Sequence, residues 1–303
     1  MMAFREQAIK LGARDSLVGV LSLPADAHAA SDVPAVVILN AGIIHRVGPN
    51  RLHVQLARAL ASCGFHVLRF DLSGIGDSEN RPDGLPPTAA ALADIREALD
   101  DLEASGRTRR GVILAGLCSG ALHALLAAEA DPRVVGTALV DLYLPKTFRY
   151  YRRHYWKRAT SVTSWLSFLR GRNRLWRAVK YQLAPDGQRE AFLNAGAPDL
   201  GGQTVPVAFE RAFLAALDRG VQIFAVFTAG MEDQHNYREQ LLEAFPRVPF
   251  GERLRLEYFA DSDHTFSSEV LRARMVRKVG EWAASAAFPD PAASKQPPGT
   301  PMT

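Results

Sequence analysis

Short apolar runs alternate with amphipathic stretches along most of this chain. Ala35–Leu39 is apolar throughout, which is typical of a strand buried on both faces of a parallel sheet, and Val134–Val140 predicts another strand. Leu52–Ser62 instead repeats its apolar residues at helical spacing, and Gly64 follows where such a helix would end. This alternation predicts an α/β fold with a mostly parallel, doubly wound sheet and helices on both faces.

The same reading assigns the remaining elements. A β-hairpin is predicted over Phe4–Leu23, turning at Gly12. Further strands are predicted over Phe65–Phe70, Gly111–Ala115, Val221–Phe227 and Leu254–Phe259. Further helices are predicted over Thr88–Ala104, Ala121–Ala130 and Glu269–Ala286, and the end of another helix over Phe213–Asp218.

The alternation stops after Leu144 and resumes about seventy residues later. We therefore predict a core made of residues 1–143 and 212–288, interrupted by a helical insertion over residues 144–211. Residues 289–303 are rich in proline and lack a periodic apolar pattern, so we expect a disordered tail.

Composition narrows the class of protein. The chain has 303 residues, 48% of them hydrophobic, which suits one large domain with an insertion. No window reaches the roughly 18 consecutive apolar residues of a membrane-spanning helix, and the first residues lack the apolar centre of a secretory signal, so we expect a cytoplasmic protein. Cys63 and Cys118 are the two cysteines, and no metal-ligand spacing accompanies them; neither a metal nor a cofactor is expected.

The segment around Cys118 fits the pattern Gly-x-nucleophile-x-Gly between a predicted strand and a predicted helix. Gly116 and Gly120 flank Cys118 at the spacing of a nucleophile elbow, where a Cβ two residues away would collide with the turn. The helix that follows directs its positive end at the side chain. An ordinary glycine-rich turn around a buried cysteine is the alternative, but the strand–turn–helix context favours a nucleophile.

A thiol nucleophile needs a base, and His264 follows the last predicted strand. The acid that orients this base is expected after the preceding strand, where Asp233 occupies a Gly-x-x-Asp turn. Glu232, one residue away, is a rival, and Asp141 at the end of an earlier strand is a more distant one. Nucleophile, acid and histidine then occur in the chain order of a hydrolase with a nucleophile elbow.

Backbone amides are expected to form an oxyanion hole. The amide of Ser119 follows the nucleophile, and the amide of Ile43 or Gly42 lies in the loop after the strand Ala35–Leu39. His45 and Arg46 come soon afterwards and are candidates for the pocket wall, with a purely structural role as the alternative.

Four motifs together resemble the α/β-hydrolase superfamily, in its serine-aminopeptidase-like branch: Asn40–Gly42, Phe70–Ser78, Gly116–Gly120 and Asp263–Phe266. Within that branch the chain is similar to the hydrolases associated with the exosortase A system, which share Gly-Leu-Cys at the elbow and a stretch like Arg46–Pro49. The resemblance spans roughly Val36–Val279 and implies an α/β-hydrolase fold with a helical cap and acyl chemistry without a cofactor. Ser119–Gly120 departs from the Asp-Ala type of continuation expected there.

The predicted cap is strongly basic. Between Lys146 and Lys180 there are eleven Lys or Arg residues and no Asp or Glu, interleaved with aromatic residues, although the whole chain has a net charge of only +4. Three partners fit this charge: an anionic substrate such as a carrier-bound or coenzyme A thioester, an anionic membrane surface, and nucleic acid. Nucleic acid is disfavoured because no nucleic-acid-binding module is present, and the sequence leaves the oligomeric state open.

We therefore predict an acyl hydrolase that acts on an ester or thioester through a covalent acyl-enzyme, with Cys118, His264 and Asp233 as the triad. An acyltransferase, or a cyclase or lyase on the same fold, is the alternative. A catalytically silent scaffold that binds an acidic partner or a lipid surface through the basic cap is the non-enzymatic alternative.

Overall fold

An eight-stranded sheet runs through the computed structural model, which describes residues 3–25, 33–159, 200 and 202–291. The strand order is β1-β2-β4-β3-β5-β6-β7-β8; β1 and β2 pair antiparallel, β2 pairs antiparallel with β4, and the remaining neighbours are parallel. The strands are β1 (Phe4–Leu11), β2 (Leu17–Pro24), β3 (Ala35–Leu39), β4 (Val67–Phe70), β5 (Val112–Leu117), β6 (Val134–Val140), β7 (Gln222–Thr228) and β8 (Leu254–Phe259).

Helices cover both faces of the sheet, as the sequence predicts. They are α1 (Leu52–Ser62), α2 (Pro87–Ala104), α3 (Ser119–Ala130), α4 (Phe148–Ala159), α5 (Val205–Asp218), α6 (Gln240–Ala244) and α7 (Glu269–Ser285). α1 and α7 pack in one buried apolar cluster, and α2, α3 and α5 pack in a second cluster on the opposite face. The apolar runs read as strands are buried on both faces because a helix layer lies on each side.

The predicted strands and helices are confirmed with end shifts of one or two residues, except that α5 begins at Val205, well before the predicted helix end Phe213–Asp218. Around Cys118, β5 runs on to Leu117 and α3 already begins at Ser119. Cys118 is thus a single residue between a strand and a helix. The strand is longer than predicted because Gly116 still pairs with Leu39 and Leu139 within the sheet.

Part of the predicted cap lies within the described residues. α4 follows β6 after a short connection, and α5 begins at Val205, seven residues before the predicted return to the core, and buries Phe209 against the body. Residues 160–199 and 201 of the predicted cap, and residues 292–303 of the predicted tail, lie outside the described residues. Of the helices that the structure describes, none is long and apolar enough to cross a membrane.

Parallel strands bring their carboxyl ends to one edge of the sheet. Asn40 follows β3, Cys118 follows β5, Asp141 follows β6 and Thr228 ends β7 at this edge. In open α/β sheets, ligands bind beyond this edge, which we call the active edge. The loop after β8 brings His264 to the same edge, where it contacts Asp141.

Candidate active site

Cys118 occupies a strained backbone conformation at the turn between β5 and α3. Its φ and ψ are 58° and −113°, a region that non-glycine residues rarely adopt. Its amide donates a hydrogen bond to the carbonyl oxygen of Val140 over 2.9 Å, which ties the turn to the end of β6. The side chain is partly exposed. This is the geometry that pushes a side chain out of the sheet at a nucleophile elbow.

The two flanking glycines are required by close backbone approaches. A Cβ on Gly116 would lie 2.2 Å from the carbonyl carbon of Gly120, and a Cβ on Gly120 would lie 2.6 Å from the carbonyl oxygen of Asn40. Both distances are far shorter than real contacts, and the atoms they meet are backbone atoms that cannot swing away. A side chain at either position would therefore collide with the backbone, as the sequence predicts.

His264 lies between a carboxylate and the thiol. Its Nδ1 is 2.8 Å from Oδ2 of Asp141, and the ring also lies beside Cys118. The hydrogen bond with Asp141, followed by the interaction with Cys118, outweighs partial burial and raises the pKa of His264 to about 9. Asp141 therefore orients the imidazole and keeps it largely protonated at neutral pH.

Asp141 is fully buried at the end of β6 and is surrounded by donors. The amide of Thr228 donates to Oδ1 over 2.7 Å, and the hydroxyl of Thr228 donates to Oδ2 over 2.7 Å. Burial alone would raise the pKa of Asp141, but its polar contact with His235 and its hydrogen bonds with His264 and Thr228 hold that pKa below its usual value. The carboxylate is therefore ionised at neutral pH and faces His264.

The structure corrects the predicted partner of His264, which is Asp141 and not Asp233. Asp233 and its rival Glu232 are exposed in the turn that follows a short 3-10 helix, Ala229–Met231. That turn directs His235, rather than an acid, into the protein interior. The sequence predicts the partner of His264 after β7, whereas in the structure it follows β6.

One signal in the sequence could have identified Asp141. It follows directly after a buried strand that lies next to the strand of the elbow, so its carboxylate is at the same edge of the sheet as Cys118. Gly230, read as part of an acid turn, has another role: a Cβ there would lie 2.2 Å from the backbone nitrogen of His264. The turn after β7 therefore supports the histidine loop through backbone contact.

The loop that carries His264 is held from both sides. Asp263 accepts hydrogen bonds from the amide and the hydroxyl of Thr265, over 2.8 and 2.7 Å, and from the amide of Ser267 over 3.1 Å. Hydrogen bonds from Ser267 and Thr265 lower the pKa of Asp263 well below its usual value. Arg272 of α7 donates to the carbonyl oxygen of Phe266 over 2.8 Å. These bonds fix the base before any substrate arrives.

The loop after β3 lies against the elbow, and one of its predicted oxyanion donors, the amide of Gly42, already donates a hydrogen bond. The amide of Gly42 donates to the hydroxyl oxygen of Ser119 over 2.7 Å, and the side chain of Ile43 is 92% exposed. Buried Asn40 fixes this loop by donating to the carbonyl oxygen of Ile44 over 2.9 Å and accepting from the amide of Leu72 over 2.8 Å. The amides of Ser119, Ile43 and Gly42 remain predicted oxyanion donors.

The structure separates the two candidates for the pocket wall. Arg46 forms an ion pair with fully buried Asp71 and a second one, 2.6 Å long, with Asp77. Its side chain therefore fixes the loop, in accord with the structural alternative. His45 is exposed, and its Nδ1 lies 3.4 Å from the amide of Val47. It stays a candidate for the pocket wall.

A thiol, an imidazole and an ionised carboxylate thus follow one another at the active edge. Such a series activates a nucleophile for attack on a carbonyl, because the imidazole accepts and returns the proton while the carboxylate stabilises the imidazolium. Among the residues that the structure describes, no group of three or more His, Cys, Asp or Glu side chains could hold a metal ion.

Comparisons with known proteins agree with this fold. Residues 36–297 match the profile described as "Alpha/beta hydrolase family". An esterase from Pyrococcus furiosus superposes with a TM-score of 0.59 at 16% identity, covering 93% of this chain and 91% of that one. A putative dienelactone hydrolase from Klebsiella pneumoniae gives 0.58 at 15%, covering 94% and 100%, and alpha/beta hydrolase domain-containing protein 10 from mouse gives 0.55 at 14%, covering 93% and 100%. No curated protein matches the chain in sequence.

Proposed function

The chain belongs to the alpha/beta hydrolase family, and on that premise we propose that it is an acyl hydrolase with a cysteine nucleophile, acting on an ester or a thioester. The observation that carries the proposal is the position of His264, which hydrogen-bonds with Asp141 over 2.8 Å and lies beside Cys118. Cys118 is also the residue at the strained turn between β5 and α3.

In the first half-reaction the thiolate of Cys118 attacks the carbonyl carbon of the substrate. The carbonyl π electrons move onto oxygen, and collapse of the tetrahedral intermediate expels the alcohol or thiol, which takes the proton held by His264. The product is a thioester between the acyl group and Cys118. Asp141 does not exchange a proton; it stabilises the imidazolium and fixes the tautomer.

In the second half-reaction water replaces the leaving group. His264 takes a proton from the water, the hydroxide attacks the acyl-enzyme, and the carboxylic acid leaves while Cys118 regains its thiolate form. No oxidant, reductant or cofactor enters the balance. If another alcohol, amine or thiol took the place of water, the same chemistry would give the acyltransferase alternative.

Ser119 would contribute to both half-reactions. Its backbone amide, at the N-terminus of α3, is the donor expected to face the developing oxyanion. Its hydroxyl oxygen accepts a hydrogen bond from the amide of Gly42, which is one of the predicted oxyanion donors. This amide would have to exchange the hydroxyl for the substrate oxygen when substrate binds. The amide of Ile43 completes the proposed set of donors.

The substrate we propose is anionic, because α4 brings positive charge to the active edge. α4 contains five Arg or Lys residues and no acidic residue, and Phe148 and Trp156 are 82% and 69% exposed on it. The hydroxyl of Tyr150 donates to the carbonyl oxygen of Glu232 over 3.1 Å and so fixes α4 to the turn after β7. A phosphate-bearing carrier of the acyl group fits this surface, and so does an anionic membrane that holds the substrate.

We also propose a narrower family relationship and a cellular location. The Gly-Leu-Cys elbow supports a relationship to the exosortase A-associated hydrolases. A reactive thiol needs reducing surroundings, which supports a cytoplasmic location.

Steady-state hydrolysis of paired acyl thioesters and oxoesters of short, medium and long chains tests the proposal. We expect turnover of at least one chain length, and a fall in kcat/KM of about 10³-fold or more in Cys118→Ala, because the covalent route is then lost.

Cys63→Ala is the matched control, since Cys63 is exposed and distant in sequence from the elbow. It should keep the wild-type rate. Equal turnover by Cys118→Ala and the wild type would overturn the proposed nucleophile, and no turnover of any ester or thioester would favour the silent scaffold.

A further inference from the structure

Asp141 faces a second histidine that the triad does not use. His235 lies seven residues after the end of β7, its side chain is fully buried, and its Nε2 is 3.2 Å from Oδ1 of Asp141. The two oxygens of Asp141 are thus divided between two imidazoles, since Oδ2 accepts from His264.

The surroundings of His235 leave the carboxylate as its acidic partner. Its ring packs edge-on against Phe227, with ring centroids 4.8 Å apart, and its amide donates to the carbonyl oxygen of Met231 over 3.0 Å. Within the described part of the chain, neither ring nitrogen has a well-aligned hydrogen bond. Burying a polar ring without a partner costs free energy, and the contact of Nε2 with the buried carboxylate at 3.2 Å offsets part of this cost.

Resting on the proposed hydrolase function, we propose that His235 is a positioning residue, whose Nε2–H holds Oδ1 of Asp141 so that Oδ2 stays aimed at His264. The amide of Thr228 donates to the same oxygen, Oδ1, over 2.7 Å. His235 and Thr228 together therefore fix both the orientation and the ionisation of the carboxylate. His235 touches neither the nucleophile nor the predicted oxyanion donors, and it acts through Asp141.

His235 lies in the turn where the sequence predicts the acid of the triad. Asp233 of that turn is exposed, whereas the side chain of His235 is buried against Oδ1 of Asp141. The carboxylate that follows β6 is therefore in contact with a side chain from the turn after β7, as the proposed positioning role requires.

Alkylation of Cys118 by iodoacetamide, followed from pH 5 to 10 in a Cys63→Ala background, tests this role without requiring turnover. In the wild type, the alkaline inflection of the profile should follow His264, whose pKa is raised to about 9. In His235→Leu we expect this inflection to fall by about one pH unit or more, since a misaligned Asp141 holds the imidazolium less well.

Two further variants separate positioning from simple packing. His235→Gln keeps an N–H donor at a similar reach and should restore the inflection to within a few tenths of a pH unit. His53→Leu removes another buried histidine, on α1, and should leave the inflection unchanged. A wild-type inflection in His235→Leu, or an equal shift in His53→Leu, would overturn the proposal.

The outcome is distinct from a failure of the proposed function. A shifted inflection in a protein that hydrolyses no ester or thioester would keep the positioning role and reject the hydrolase. Ester turnover together with an unshifted inflection in His235→Leu would keep the hydrolase and reject the positioning role.

Discussion

At the scale of single residues, the chemistry of the site depends on which carboxylate serves His264. Asp141 is buried, accepts four contacts from Thr228, His235 and His264, and has a φ of 47°, which non-glycine residues rarely adopt. Strain of this kind persists where the surroundings determine the position of a side chain. Asp233 is exposed, and the side chain that this turn buries against Asp141 is that of His235.

Asp141→Asn should reduce the rate of acylation by about 10²- to 10⁴-fold, because an amide neither stabilises the imidazolium nor fixes the tautomer. Asp233→Asn makes the same chemical change on an exposed acid in the next loop and should stay within about 2-fold of the wild type. Single-turnover kinetics with an activated thioester measure both. A large loss in Asp233→Asn with a small one in Asp141→Asn would reverse the assignment.

The pKa of His264 also links the site to stability. A histidine whose folded pKa is raised from about 6.5 to about 9 stabilises the folded state fully below pH 6.5, and this contribution is lost as the pH rises towards 9. The free energy of unfolding of the wild type should therefore exceed that of His264→Gln most at pH 6 and least above pH 9. His45→Gln, on an exposed histidine, should show no such trend in urea titrations. A difference that grows with pH would contradict the account.

At the scale of elements, the elbow is a turn whose glycines permit contact between neighbouring backbones. Gly120 approaches the carbonyl oxygen of Asn40 in the loop that carries the predicted oxyanion donors, so α3 and that loop are held in register. The two glycines around Cys118 therefore set how closely the elbow approaches the loop that carries the predicted oxyanion donors.

Gly120→Ala should lower the free energy of unfolding by about 1–3 kcal/mol, since the new Cβ would lie 2.6 Å from a backbone oxygen. Gly280→Ala is the matched control: it lies inside α7, where a Cβ meets nothing within 4 Å, and should raise stability by about 0.5–1 kcal/mol. Urea unfolding measures both changes. Equal effects at the two positions would mean that the elbow is not tightly packed.

The sequence predicts elements better than it predicts side-chain partners. The runs over β3 and β6 predict buried strands because helices on both faces favour apolar residues along the whole strand. The sequence predicts Cys118 and His264 as site residues because each sits at a fixed place relative to a strand end. It favours Asp233 over Asp141 because both follow strands at the same edge, and the choice depends on which way one turn directs its side chains. A local pattern does not record that direction.

At the scale of the whole molecule, charge is unevenly distributed. The chain has a net charge of +4, and the described part of the basic segment, α4, lies after the strand that supplies Asp141. Arg149 is paired with Glu243 over 2.8 Å, whereas Arg152 and Arg153 are exposed on the same helix. Exposed cations attract anions, and on this ground we propose an anionic substrate.

Replacing Arg152 and Arg153 together with alanine should lower kcat/KM for an acyl-coenzyme A probe by about 10-fold at low ionic strength. The loss should be much smaller at about 0.5 M salt, because salt ions then screen the attraction between these cations and the anionic probe. An uncharged ester of the same acyl group should be unaffected. Arg277→Ala, on the exposed side of α7, is the matched control and should change neither substrate. An equal loss with the charged and the uncharged substrate would indicate damage to the site instead.

The central claim, that Cys118 is the nucleophile held ready by His264 and Asp141, is tested most directly by the mass of the acyl-enzyme. The protein would be mixed briefly with activated acyl thioesters, quenched in acid, and measured by intact mass and peptide mapping, alongside Cys118→Ala. We predict one added acyl group on the wild type, on the peptide that contains Cys118, and none on the variant. Acylation of the variant, or an adduct on Cys63 or Ser119 in the wild type, would contradict the claim.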